Sequence, residues 1–340
     1  MDDQNTRSYN ELPRNGGQDS MTDFENALVI RSGAVGDFIF TLPALAALRQ
    51  ASPNAHISVM GHPEMLALVD GRCYADDIYS IDKAEVATLF SKTAQVAPSL
   101  AHRLSQYDLI IAYLSDADGI LRENLSSVCN GRVVLFSPIL PENGQTHIVD
   151  HLLKPIKSIG IKVIDMCPVL RLSSEDCQAG SRLLQDLGID LNQNIVAVHP
   201  GAGSPAKCWP ADRYARLIDD LAAYCTVLVV TGPADSSTTE TVLGLVDHGD
   251  KIVRLERMSL LTVTQALACC SAYIGNDSGI THVAAALEIP VVAIYGPTDP
   301  VLWGVLGKNV TILSCHSRAM TDLKVETARD AVTSIISASS

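Results

Sequence analysis

A chain of 340 residues exceeds what one hydrophobic core usually organises, so two domains are expected. Apolar residues make up 47% and aromatics only 5%, a balance that suits buried parallel strands alternating with helices rather than an antiparallel sandwich. The formal charge of −13 excludes a nucleic-acid partner, which would need clustered Lys and Arg.

Residues 1–23 lack the apolar core of a signal peptide and read as a disordered tail. The first ordered run, 27–31 (ALVIR), reads as a buried strand that enters the loop Ser32-Gly33-Ala34-Val35-Gly36. Apolar residues at helical spacing follow over 37–51 and predict one helix. Strand-like runs recur at 57–60, 78–81, 109–112 and 133–136, and a helical stretch lies around 151–159. Strands alternating with helices imply parallel pairing through right-handed crossovers.

The pattern becomes irregular around 165–172, where an inter-domain linker is expected. Strands are then predicted at 195–199, 227–231, 252–254, 272–275 and 291–295, with helices beginning near Ala211, Ser236, Leu260 and Gly279. A last helical stretch, 322–336, is expected to pack back on the N-terminal domain. The domain plan is therefore a tail over 1–23, one Rossmann-like domain over 24–165, another over 171–321, and a returning helix over 322–340. Nine cysteines without a CxxC spacing read as small buried residues of a reducing compartment, and no apolar run reaches the length of a membrane span. A soluble, cytoplasmic protein is expected.

In open parallel sheets, ligands bind beyond the carboxyl ends of strands. Four segments with polar chemistry stand there. Arg31-Ser-Gly-Ala-Val-Gly-Asp37 puts a carboxylate at the start of a helix, where it either caps that helix or faces a ligand. His199-Pro-Gly-Ala-Gly-Ser-Pro-Ala-Lys-Cys-Trp-Pro210 sets glycines, Gly203 among them, and Lys207 ahead of a helix, a combination suited to a diphosphate. Thr231-Gly-Pro-Ala-Asp235 ends a strand with an acid that either meets a ribose hydroxyl or caps the next helix. Gly275-Asn-Asp-Ser-Gly-Ile-Thr-His282 crowds Asp277, Ser278, the N–H groups of Gly279 and Ile280, and His282 at the start of an apolar helix, more polarity than capping requires.

Taken together, SGAVGDFIFTLPAL (32–45), HPGAGSPAKCWP (199–210), GNDSGITHVAAAL (275–287) and YGPTDP (295–300) resemble the heptosyltransferase family of lipopolysaccharide biosynthesis, glycosyltransferase family 9. The resemblance runs from about 27 to 322 and implies the GT-B fold: two Rossmann-like domains whose parallel sheets face across a cleft. It further implies inverting transfer of heptose from a nucleotide diphosphate, normally ADP-heptose, to a glycan or glycolipid acceptor, with no metal or other cofactor. By motif, Asp37 is similar to the family's general base and Lys207 to its phosphate-binding lysine. Asp277, Ser278, Gly279, Ile280 and His282 match its diphosphate and sugar loop, and Met258 a residue near the adenine. A cytoplasmic enzyme in transient contact with the inner face of the membrane follows from the same resemblance.

Two features depart from the family pattern. Asp235-Ser236 stands where relatives often carry a ribose-binding Glu. The stretch 24–150, read as the acceptor side, holds eight Lys and Arg against fourteen Asp and Glu, a net charge of about −6. An acceptor less acidic than the innermost lipopolysaccharide core is therefore expected, unless Arg31, Arg49, Arg72, Arg103 and Arg122 gather into a basic groove. The alternatives on the same fold are a sugar-nucleotide epimerase, which lacks an evident set of acid and base carboxylates, and a non-catalytic nucleotide-sugar binder, which would have no need of Asp37.

Overall fold

The computed structural model describes residues 24–338 except 73, 233, 234, 248, 250 and 316, so the expectation for 1–23 lies outside the described residues. Five strands form the first sheet: β1 (Asn26–Arg31), β2 (His56–Gly61), β3 (Asp77–Ser80), β4 (Leu109–Tyr113) and β5 (Arg132–Phe136). Their order is β3-β2-β1-β4-β5, with every pairing parallel. The second sheet contains β6 (Ile195–His199), β7 (Thr226–Thr231), β8 (Ile252–Glu256), β9 (Ala272–Asn276), β10 (Val291–Tyr295) and β11 (Val310–Ser314). It runs β11-β10-β9-β6-β7-β8, again all parallel. Read from β8 this is the doubly wound Rossmann order, and the first sheet repeats it one strand short.

The central strands are buried along their whole length because both faces are covered, and the Thr, His and Asn side chains they carry stand only at strand ends. All residues of β4, β6, β7, β9 and β10 are buried. One contiguous core includes Leu45, Ile57 and Leu152 of the first unit and Leu184, Leu267 and Val283 of the second. A bidentate ion pair also joins the units: Arg72 Nη2 and Nε donate to Asp176 Oδ1 and Oδ2 at 2.7 and 3.0 Å.

Several expectations need correction. The predicted helix over 37–51 is two helices, Val35–Ile39 and Leu42–Ala51. Pro43 lacks the N–H that would bond the carbonyl of Ile39, and its ring would clash with that carbonyl, so the helix restarts. Helix Ser174–Asp186 and edge strand β11 went unpredicted. The former is polar on most of its surface, carries Gly180 in its middle, and is started by a Ser173/Asp176 capping box. Gly180 is required there, since a Cβ would lie 2.1 Å from the carbonyl oxygen of Gln265. The C-terminal helix, Val325–Ala338, does not return to the N-terminal domain. Val325, Ala328, Val332 and Ile336 pack into the core beneath helix Ala211–Ala222, beside Tyr214, Leu217 and Leu221. Trp209 Nε1 donates to the Leu323 carbonyl at 3.1 Å, and Arg216 pairs with Glu326 at 2.8 Å. The apolar stripe of the helix fills the open outer face of its own sheet, which is nearer in sequence than the other domain.

A candidate donor and acceptor site between the two sheets

In each sheet the strand order reverses beside the first strand of the unit, at β1/β4 and at β6/β9. The loops leaving β1, β6 and β9 therefore open into crevices at the carboxyl ends. These loops, with segments from β7 and the start of helix Leu260–Leu267, enclose one cavity of about 780 Å³. All ten residues singled out in the sequence line it: Asp37, Gly203, Lys207, Asp235, Met258, Asp277, Ser278, Gly279, Ile280 and His282.

Asp37 is the third residue of helix Val35–Ile39. Its Oδ2 accepts the N–H of Ala34 at 3.1 Å, and its Oδ1 lies 3.2 Å from the buried guanidinium of Arg31. The side chain is 37% exposed and lines the cavity, so Asp37 both holds the helix start and presents a carboxylate to that space. Gly33 makes room for it: at φ +129° the backbone favours glycine, and a Cβ there would lie 2.9 Å from Asp37 Oδ2.

From the second unit, Lys207 Nζ donates to Asp277 Oδ2 at 2.7 Å. His282 Nε2 stands 3.9 Å from Asp277 Oδ1. Burial opposes ionisation of Asp277, but His282, Lys207 and Thr298 outweigh it and hold the carboxyl down to about 2. Asp277 is thus the counter-ion that aims the lysine. Ser278 spends its hydroxyl on the N-cap of helix Gly279–Ala286, accepting from Thr281 N–H, which leaves the N–H groups of Gly279 and Ile280 without an intrahelical partner at a helix start that lines the cavity.

Asp235 occupies the N-cap position of helix Ser236–Leu243 without capping it through its side chain. The carboxylate turns back instead, with Oδ2 3.6 Å from Nε2 of the buried His199. A Cβ on Gly201 would lie 2.2 Å from its Cγ, so only glycine leaves room for this turn. The imidazole is held from behind by a 2.9 Å bond between Nδ1 and the Val230 carbonyl, and burial lowers its pKa against the pull of that bond and of Asp235. Met258, 38% exposed, forms an apolar wall with Leu260 and Val263.

Several residues of the site escaped the sequence reading. Asn276, fully buried at the end of β9, donates to the carbonyls of Pro200 and Gly201 at 2.8 and 3.2 Å and accepts from Trp209 N–H and the Tyr214 hydroxyl. It pins the Lys207 loop to the Asp277 loop. Its signal was present, since it opens the Asn-Asp-Ser-Gly segment, but nothing local says which loop it reaches. Phe40 stands at the junction of the two units, its ring 4.5 Å from that of His282 and 5.7 Å from that of His147. His147 Nδ1 accepts the Val149 N–H, so Nε2 carries the proton it donates to the Gly304 carbonyl at 2.8 Å. Glu64, Thr298 and Trp303 also line the cavity.

The arginines do not gather into a groove at this site. Arg31 pairs with Asp37, Arg49 with Asp76, Arg72 with Asp176 and Arg103 with Asp77, and none of these four, nor Arg122, lines the cavity. Among the described residues no three His, Cys, Asp or Glu side chains come together as a metal site, and no helix is long and apolar enough to cross a membrane.

The profile of glycosyltransferase family 9 (heptosyltransferase) matches residues 138–332. Lipopolysaccharide heptosyltransferase 3 of Escherichia coli strain K12 is 26% identical over 302 residues, 81% of this chain and 83% of that protein. A glycosyl transferase of family 9 from Veillonella parvula superposes with a TM-score of 0.77 at 18% identity, over 94% of this chain and 99% of that one. E. coli heptosyltransferase WaaC, solved with ADP, superposes at 0.69 with 19% identity, over 91% and 99%. The fold is therefore GT-B, and the chain belongs to glycosyltransferase family 9, the heptosyltransferase family.

Proposed function

We propose that the chain transfers a heptose from ADP-heptose, with inversion at the anomeric carbon, to a hydroxyl of a lipopolysaccharide or related surface glycan. The observation that carries this is one cavity lined by Asp37 from the first unit together with Lys207 and the Gly279–Ile280 helix start of the second. An inverting transfer needs both at once. As the acceptor oxygen attacks the anomeric carbon, Asp37 takes its proton. The bond from that carbon to the diphosphate breaks on the opposite face, and the charge growing on the departing ADP meets Lys207 and the exposed N–H groups.

The other contacts follow from the same placement of the donor. Met258, Leu260 and Val263 offer the adenine an apolar wall, and Asp235 beside His199 receives the ribose hydroxyls. His282, which shares Asp277 with Lys207, lies between the donor diphosphate and Phe40. The relative solved with ADP supports the adenine nucleotide, and the relative named as a lipopolysaccharide heptosyltransferase supports the sugar and the acceptor class. Metal independence is part of the proposal, because Lys207 and backbone donors supply the positive potential that a metal would otherwise provide.

The test is to follow ADP-heptose with and without a glycan acceptor, in chelator, and to determine the product's anomeric configuration. Acceptor-dependent ADP release with inverted product supports the reading. Conversion of the donor without an acceptor favours an epimerase, binding without turnover favours a non-catalytic binder, and strict dependence on added magnesium or manganese overturns the metal-free mechanism.

A further inference from the structure

We propose that Glu64 selects the acceptor, holding the hydroxyls of an uncharged sugar and turning away a sugar that carries a phosphate or carboxylate next to the accepting position. This rests on the transferase reading and adds a residue and a charge rule to it.

Glu64 belongs to the short helix Pro63–Leu66, which follows β2 directly. The end of β2 lies close to the end of β1, since a Cβ on Gly61 would stand 2.9 Å from the carbonyl oxygen of Arg31. The β2 exit therefore sits beside the loop that carries Asp37. Leu66 anchors the helix in the core while Glu64 stays exposed and lines the cavity. No described residue hydrogen-bonds or pairs with its carboxylate, in contrast to Asp37, Asp235 and Asp277.

The charge around the cavity then decides what fits. Its wall from the first unit consists of Ala34, Val35, Gly36, Asp37, Phe40 and Glu64, two carboxylates and no lysine or arginine. Lys207 is the sole Lys or Arg among the lining residues, and Asp277 already holds it on the donor side. An anionic acceptor would meet two like charges, of which Asp37 has the buried Arg31 behind it and Glu64 has no cation beside it. An uncharged sugar presents hydroxyl donors, and an ionised carboxylate accepts such hydrogen bonds and nothing else. With one hydroxyl at Asp37, Glu64 offers a second carboxylate of the same unit to another hydroxyl of the acceptor.

The experiment compares the full chain with Glu64→Gln and Glu64→Lys, using ADP-heptose and two acceptors: a neutral heptoside and the same heptoside phosphorylated on the accepting ring. The wild type is expected to favour the neutral acceptor in kcat/KM by about tenfold or more, with the phosphorylated one gaining as salt rises. Glu64→Gln should raise KM for the neutral acceptor by about tenfold while kcat changes less, the scale of one charged hydrogen bond. Glu64→Lys should reverse the preference. Melting temperatures are expected to match, because the side chain is exposed. A wild type that prefers the phosphorylated acceptor, or a ratio unmoved in both variants, overturns the role of Glu64 and leaves the transferase intact. A wild type inactive on both acceptors removes the transferase reading and this inference with it.

Discussion

Gly279 and Val35 meet across the boundary between the two sheets so closely that a Cβ on Gly279 would lie 2.7 Å from the Cβ of Val35. Gly36 completes the contact, its own missing Cβ leaving room for the ring of His282 at 3.2 Å. The helix that bears Asp37 thus rests on the helix start that would face the diphosphate, and glycine on both sides sets how near they come. Gly279→Ala adds a methyl against a branched, half-buried neighbour, an overpacking that costs about 1–3 kcal/mol. The backbone N–H survives the substitution. Turnover is expected to fall about tenfold, the lower end of that range, while ADP affinity, read by calorimetry, changes much less. Equal losses in both would place the strain in the donor loop itself.

Asp37→Asn removes the proton acceptor and keeps an oxygen for the Ala34 N–H. Turnover should drop by about a hundredfold or more, the usual scale for a general base, with ADP affinity preserved. Near-normal turnover would reduce Asp37 to a partner of Arg31 and the helix start.

Lys207→Ala separates the phosphate from the nucleoside. Hydrogen bonds to charged groups are worth about 1.5–3 kcal/mol, so ADP binding should weaken by roughly tenfold to a hundredfold. Adenosine, which has no phosphate, should bind almost as before. A matching loss for adenosine would mean that Lys207 shapes the loop, through Asp277, rather than meeting the phosphate.

The Arg72–Asp176 pair predicts a pH dependence of stability. Arg72 is the largest influence holding the Asp176 carboxyl below the ordinary carboxylate range; burial opposes it, and Ser173 and Gln265 add to it. A carboxyl with a depressed folded-state pKa contributes stability that is complete above its unfolded pKa and lost as pH falls through the folded one. With 12% and 8% of the two side chains exposed, Arg72→Ala leaves a nearly buried carboxylate unpaired and should cost about 3 kcal/mol at pH 7. The gap in melting temperature between wild type and variant should hold down to about pH 4 and narrow below it. A gap independent of pH down to 2 would assign the loss to packing of the arginine stem.

The sequence alone determined the strands that are buried on both faces. Runs such as 195–198 and Val291–Tyr295 must be continuously apolar when helices cover both sides, and that demand is written locally. It determined the chemistry-bearing loops for a similar reason: glycines and acids between a strand and a helix are constrained by backbone geometry within a few residues. Strand β11 had no such mark, because an edge strand with one neighbour tolerates exposed residues. Helix Ser174–Asp186 had only its capping box and a narrow apolar stripe.

Tertiary structure decided whatever depends on residues far apart in the chain. Asp235 lines the cavity and does not cap its helix through the side chain, because Gly201, without a side chain of its own, gives the carboxylate a place to turn. The acid of the fourth segment became the partner of a lysine 70 residues away. The C-terminal helix chose the nearer sheet because its stripe fits beside Tyr214 and Leu221, a match of shapes that an amphipathic pattern does not encode. The charge of the acceptor wall was likewise a matter of position. Net charge over 24–150 counts every acid and base equally, whereas the fold turns Asp37 and Glu64 toward the cavity and commits Arg31, Arg49, Arg72 and Arg103 to carboxylates. Local sequence specifies which groups are present and how the backbone bends around them; only packing over long separations fixes which of them face one another.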